Sequence, residues 1–198
     1  LGPAEATTGT AAELLGVAGG NGLVAWVDEG DGRTLAELRR HASDPRWRIR
    51  EAVAMALQRW GEADFEALGT AMHGWAHGTS LERRAAAAAL CEPALLTTPE
   101  RVGEALAVLA EATAGIAEAG AEERRSEEFR ALRKGLGYCW SVAVAAAPEV
   151  GRPAFAELVS LAWASNDRDL AWVARENLRK RRLERLDPGW VSRLLERL

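Results

Sequence analysis

The chain is predicted to be all-α, an α-solenoid of antiparallel helix pairs, and three features of its 198 residues point there. Alanine, the best helix former, recurs throughout. Residues that favour strands are scarce, with one tyrosine, three phenylalanines and few alternating runs. A short arginine-centred pattern occurs four times along the chain, which turns one amphipathic helix into an array.

The clearest copy is residues 44–61, DPRWRIREAVAMALQRWG. Asp44 and Pro45 suit a helix start, because a short carboxylate accepts from first-turn amides and proline gives up an N–H that has no partner there. A helix is therefore expected from Arg46. Ile49, Val53, Ala56, Leu57 and Trp60 recur at spacings of three and four and form one apolar stripe, with Gly61 at the expected stop.

Aligned on the arginine, Ile49-Arg50, Arg83-Arg84, Leu132-Arg133 and Ala174-Arg175 correspond, and six residues earlier stand Asp44, Gly78, Glu127 and Asp169. The arginines are 34, 49 and 42 residues apart, in or near the range of about 40–47 for two-helix repeats. An aspartate, five residues of which the last is branched and apolar, and an arginine, then Ala52, Ala54, Ala56 and Leu57, resembles the second helix of a HEAT repeat. That resemblance implies a right-handed α-solenoid in which Asp44, Arg50, Arg84, Arg133 and Arg175 make a structural ladder between neighbouring repeats. It is good over 44–61, fair over 164–183 and weak over 78–91 and 127–140, where Gly78 and the crowded Arg83-Arg84 depart from the pattern.

In order along the chain, residues 1–10 are expected to be a flexible lead-in and 11–198 a single repeat domain. A short helix is predicted over 11–17. Gly19, Gly20 and Gly22 interrupt it, without the strand, helix and distant acid that a phosphate-binding loop requires, and 23–27 is open between a short helix and part of a first repeat. Helices over 34–42 and 46–60 make the first clear pair, and 63–75 and 81–91 the second, ended by Pro93. Pro99, after Thr97 and Thr98, opens a long helix to about Ala119 with Val102, Leu106, Leu109 and Ala110 on its stripe. Residues 121–128 open a helix that carries Leu132, Leu136, Trp140 and Val144 to Pro148 and is expected to be the most buried. Pro153 opens the next, with Phe155, Leu158, Leu161 and Ala162 inward, before a polar turn over 165–168. A basic helix over 170–183 follows. Asp187 and Pro188 start a short last helix whose Val191, Leu194, Leu195 and Leu198 would cap the stack.

Composition narrows function. The net charge of −4 argues against a general polyanion binder, yet residues 1–38 carry six acids to one base and 174–198 eight bases to four acids. The longest uncharged runs, 14–27 and 135–148, fall short of the roughly 18–20 apolar residues of a membrane span, so no membrane association is expected. No basic segment followed by an apolar run stands near Leu1, which predicts no signal peptide. Cys91 and Cys139 lie in apolar runs and are expected to be free and reduced, in keeping with a cytoplasmic protein. Eight tryptophans beside so much alanine read as core knobs between close helices, with any tryptophan exposed in a groove as the informative exception.

Catalytic signals are thin. His73 and His77 share a helix face, but Gly74 stands where HExxH needs glutamate, so no metal site is expected and both are assigned to capping a helix end. No serine sits in a nucleophile elbow, and no cofactor motif is present. Trp163-Ala164-Ser165-Asn166-Asp167, followed by Trp172 and Arg175, resembles the turn and second helix of bacterial alkylpurine DNA glycosylases, a HEAT-like family whose concave face binds DNA. That resemblance implies phosphate contacts from Arg175, Arg179, Lys180, Arg181 and Arg182, with Arg46 and Arg48 further along. Ala164 replaces the first acid of that family's catalytic run, so glycosylase activity is not carried over. On a helical wheel Arg48, Arg59, Arg179 and Arg182 face outward. The expected function is a non-enzymatic, monomeric scaffold that binds a protein partner along its inner helices. The alternative is a DNA-binding relative of the glycosylases using Arg46, Arg48, Arg59, Arg179, Arg182, Trp163, Asp167 and Trp172.

Overall fold

The structure, a computed structural model, describes residues 32–198, and these form ten α-helices and one 3-10 turn with no strand among them. The expectations for 1–10, 11–17, the glycines at 19–22 and 23–27 lie outside the described residues. The helices are α1 (Gly32–Ala42), α2 (Trp47–Ala63), α3 (Phe65–Ala76), α4 (Ser80–Leu90) and α5 (Pro99–Glu118), then, after the 3-10 turn Glu123–Arg125, α6 (Glu127–Ala146), α7 (Pro148–Ser165), α8 (Arg168–Leu178), α9 (Arg181–Leu186) and α10 (Pro188–Leu195).

Short polar side chains start most of them, each accepting from a first-turn amide that would otherwise lack a partner. Asp64 begins α3, Thr98 α5, Ser126 α6, Asp167 α8 and Asp187 α10. Thr79 and Glu82 close a capping box on α4. α2 departs from expectation. It starts at Trp47 with Arg46 in the cap position, and the Asp44 carboxylate is spent on Arg46, accepting from its backbone amide at 2.8 Å, its Nε at 2.8 Å and its Nη2 at 2.7 Å. Both side chains are buried, so each neutralises a charge that would otherwise be costly to desolvate.

Packing follows two rows. Even helices touch in succession, α2 on α4, α4 on α6 and α6 on α8, while α3 packs on α5 and α5 on α7. Each odd helix from α1 to α7 also packs on the even helix that follows it. The alanine run 85–89 lies in the middle of the even row, and its small side chains let α4 approach both neighbours; Ala86 and Ala87 are fully buried. α6 packs against α4, α5, α7, α8 and α9, and its Trp140 is closed in by the Phe155 ring edge-on at 5.9 Å. The Trp140 indole donates to Thr113 Oγ1 at 3.0 Å, which satisfies a buried N–H.

Two boundaries and the facing of two leucines differ from the sequence expectation. α7 begins at Pro148, and Pro153 lies inside it, one turn in, where its missing N–H forfeits a single helical bond. Leu161 is 39% exposed and does not face inward, and neither does Leu195. The basic helix over 170–183 is two helices, because the Lys180 amide turns to the Asn177 carbonyl at 2.9 Å and ends α8. Between α7 and α8 Asn166 takes a left-handed conformation, φ 50°, a role that asparagine tolerates better than most residues. Trp60, Trp75 and Trp140 are buried and Trp172 and Trp190 half-buried, whereas Trp47 and Trp163 are exposed. No helix among the described residues is long and apolar enough to cross a membrane.

Candidate functional site

The even row carries a groove of about 850 Å³. α2 contributes Trp47, Arg50 and Glu51, α4 Arg84, and α8 Trp172 and Glu176, with Lys180 just beyond. α6 contributes Arg130, Arg133, Lys134, Gly137 and Tyr138, which recur at spacings of three and four and so form one stripe along that helix. Gly137 lets the Trp172 ring lie directly on α6, since a Cβ there would stand 2.9 Å from its Cζ3.

The lining holds six cations against two carboxylates. Arg84 pairs with Glu51, and Arg133 with Asp169, each across neighbouring even helices. Lys180 pairs with Glu176 at 2.6 Å, whereas Arg130 only reaches Glu127 at 3.9 Å. Arg50 has no carboxylate. Its Nη1 donates to the carbonyls of Asp44 at 2.6 Å and Pro45 at 2.8 Å, and burial together with the nearby Arg84 charge pushes its pKa down. Lys134 is exposed and makes no ion pair among the described residues. A concave strip with an excess of guanidinium and ammonium groups attracts anions, most strongly those that bring several charges in a row.

Arginines also stack on the groove's aromatic rings. Arg48 lies 5.0 Å over Trp47, Arg133 4.6 Å over Trp172, and Arg182 4.7 Å over Tyr138 while donating to its Oη at 2.8 Å. Such stacking orients a guanidinium and keeps it charged at a ring face.

The residues singled out in the sequence are divided by the fold. Of the ladder, Arg84 and Arg133 reach across to neighbouring even helices, but both also line the groove. Asp44 binds Arg46, leaving Arg50 to backbone carbonyls. Arg175 makes no ion pair and turns away, into a second depression of about 480 Å³ with Trp163, Asp167, Arg168 and Arg197. Arg83, beside Arg84, also turns away, against Gly115 of α5. Of the binding set, Trp172 lines the groove and Arg182 sits at its rim through Tyr138. Arg46 is buried in its pair with Asp44, which removes it from any surface. Arg48, Arg59 and Arg179 are exposed, and Arg59 lines neither depression.

Asp167 is not a free carboxylate. It accepts from the amides of Asp169 and Leu170 at the start of α8 and pairs with Arg124 at 2.6 Å. Burial alone would raise its pKa, but the Arg124 guanidinium and these amides outweigh that and hold it below the usual range. Arg124 and Arg133 together neutralise the buried Asp169. Sequence reasoning missed Arg130, Lys134 and Tyr138. The signal was present as a basic stripe at 130, 133 and 134 followed by an aromatic one turn on, but it lay where the repeat pattern was weak.

His73 lies between two α5 carboxylates, Glu111 at 2.8 Å and Glu104 at 3.1 Å, and its hydrogen bond to Glu111 raises its pKa despite burial. His77 caps the end of α3 and approaches Glu111 at 3.4 Å. Among the described residues no cluster of three or more His, Cys, Asp or Glu is arranged to hold a metal ion. Cys91 and Cys139 are buried free thiols, and a hydrogen bond between them, with burial, raises the Cys91 thiol well above its usual range. That makes Cys91 a poor nucleophile. No family model, curated protein or solved structure matches this chain.

Proposed function

We propose that this chain is a nucleic-acid-binding α-solenoid of HEAT-like helix pairs, with the even helices as its binding face and no catalytic step of its own. The carrying observation is the groove lining, six cations against two carboxylates, with Arg50 and Lys134 in no ion pair among the described residues. The two-row packing is what a stack of helix hairpins requires, and it supports the resemblance to HEAT repeats and to the DNA alkylation repair glycosylases. Asp167 has both carboxylate oxygens engaged, by Arg124 and by the start of α8, a structural use that favours binding over base excision. Buried reduced thiols fit a cytoplasmic setting.

The test is anisotropy of labelled DNA and RNA titrated with the purified chain over a range of salt. Binding should weaken steeply as salt rises, and Arg50→Ala with Lys134→Ala should lower the logarithmic salt slope by about two. Absence of binding to any nucleic acid at low salt overturns the proposal. A protein-binding scaffold is the second reading, favoured by Trp163, which is 71% exposed beside the second depression. Solvent-facing tryptophans of this kind are common interface anchors. A partner whose binding is lost in Trp163→Ala and retained in Arg50→Ala would support it.

A further inference from the structure

Two groove rings have no structural task that accounts for their exposure. Trp47, at the start of α2, is 53% exposed, and Tyr138, in the middle of α6, is 48% exposed. Each has an arginine over one face, Arg48 at 5.0 Å and Arg182 at 4.7 Å. Each ring thus keeps about half of its surface in water beside its arginine. Both lie in the same depression as the uncompensated Arg50 and Lys134. Anion attraction and open aromatic faces thus occur together, along one strip that spans several helices.

We infer that the groove binds single-stranded nucleic acid, with unpaired bases stacked on Trp47 and Tyr138 and the phosphates between them held by Arg50 and Lys134. This rests on the reading of the groove as a nucleic-acid site and states which form of nucleic acid it takes. A duplex keeps its bases stacked on one another and offers a protein surface mainly phosphates and groove edges. Rings facing a duplex backbone would stay wet or lie against sugar. A single strand offers π-faces and phosphates together, and the groove lines rings and cations in one depression. Arginine on the far side of each ring strengthens the arrangement, since it forms a stack of guanidinium, ring and base in which the cation also adds to the field on the phosphates. Stacking of this kind does not discriminate among the four bases, because each has a π-face. The groove is therefore sequence-tolerant, and discrimination between DNA and RNA is left to contacts with the 2′-hydroxyl.

The experiment compares an oligothymidine, an oligouridine and a mixed-sequence duplex in anisotropy titrations at one salt concentration. Proteins are the wild-type chain, Trp47→Ala, Tyr138→Ala, and the ring-preserving Trp47→Phe and Tyr138→Phe. Both rings are exposed, so the variants should fold, which circular dichroism checks. Expected is tighter binding of the single strands than of the duplex. Each alanine variant should lose roughly fivefold or more for single strands and little for the duplex, with the phenylalanine variants close to wild type. Tighter duplex binding, or single-strand affinity unchanged in both alanine variants, overturns the inference while leaving a nucleic-acid groove standing. No binding of any of the three overturns both.

Discussion

Arg133 lies 4.6 Å over the Trp172 ring while donating to Asp169, so one guanidinium joins the groove wall on α6 to the buried start of α8. The ring holds the guanidinium plane, and the carboxylate holds its edge. Neither contact is fully buried, since the Arg133 side chain is 31% exposed. We expect a double-mutant cycle on Arg133→Ala and Trp172→Ala, followed by urea denaturation, to give a coupling energy of about 1 kcal/mol. Additive effects would show that the stacked geometry contributes nothing beyond each side chain separately.

Asn177 predicts a larger effect. It is fully buried on α8, accepts from the Ser141 amide of α6 at 2.8 Å, and donates to the carbonyls of Leu136 and Val173, each at 2.8 Å. Every polar atom of the side chain is used between two adjacent even helices. Asn177→Leu removes these partners from a site water does not reach, and stability should fall by about 2 kcal/mol in urea denaturation. A neutral result would mean that the α6 backbone groups find equivalent partners when the amide is gone.

His73 makes stability depend on pH. Its folded-state pKa is raised above the usual value of 6.5, first by the hydrogen bond to Glu111 and further by Glu104. The stabilisation is therefore fully present below the unfolded pKa and is lost as pH rises through the folded value. Because the imidazole is 35% exposed, solvent screening limits the gain to about 1 kcal/mol or less. Thermal melts of wild type and His73→Gln should differ at about pH 6 and converge by about pH 9. A gap for His73→Gln that is constant across this range would sink the assignment.

Two glycines predict opposite signs for the same substitution. Gly151 is buried on α7, and a Cβ there would stand 2.5 Å from the Val144 Cα of α6. Backbone cannot yield as a side-chain end can, so Gly151→Ala should force α6 and α7 apart and cost about 2 kcal/mol. Gly103, in the middle of α5, has nothing within 4 Å of the same added atom. Gly103→Ala should stabilise by about 0.5–1 kcal/mol, by reducing the freedom of the unfolded chain. Chemical denaturation of both variants reads the comparison directly.

The helices themselves were legible in the residues. Spacings of three and four, Thr98 before Pro99 and Asp187 before Pro188 place α5 and α10, because capping and amphipathic stripes act within a few residues of each other. Of the four aligned arginines, Arg84 and Arg133 pair with carboxylates of neighbouring even helices, whereas Arg50 donates to backbone carbonyls and Arg175 turns to another depression. Local rules failed at Pro153, which reads as a helix start although the helix runs through it at the cost of one backbone bond, because packing of the whole helix outweighs that local preference.

What the residues alone determined is which stretches become helices and which of their faces are apolar, since both depend on neighbours in the chain. Tertiary structure decided how the charges are divided. Asp44 could reach either Arg46 or Arg50, and only the burial of Asp44 and Arg46 settles that pair and leaves Arg50 to the groove. Likewise Trp172 and Arg175, three residues apart, face different depressions. An arginine side chain is long enough to serve several partners at similar cost, so its role is set by which helix is packed beside it.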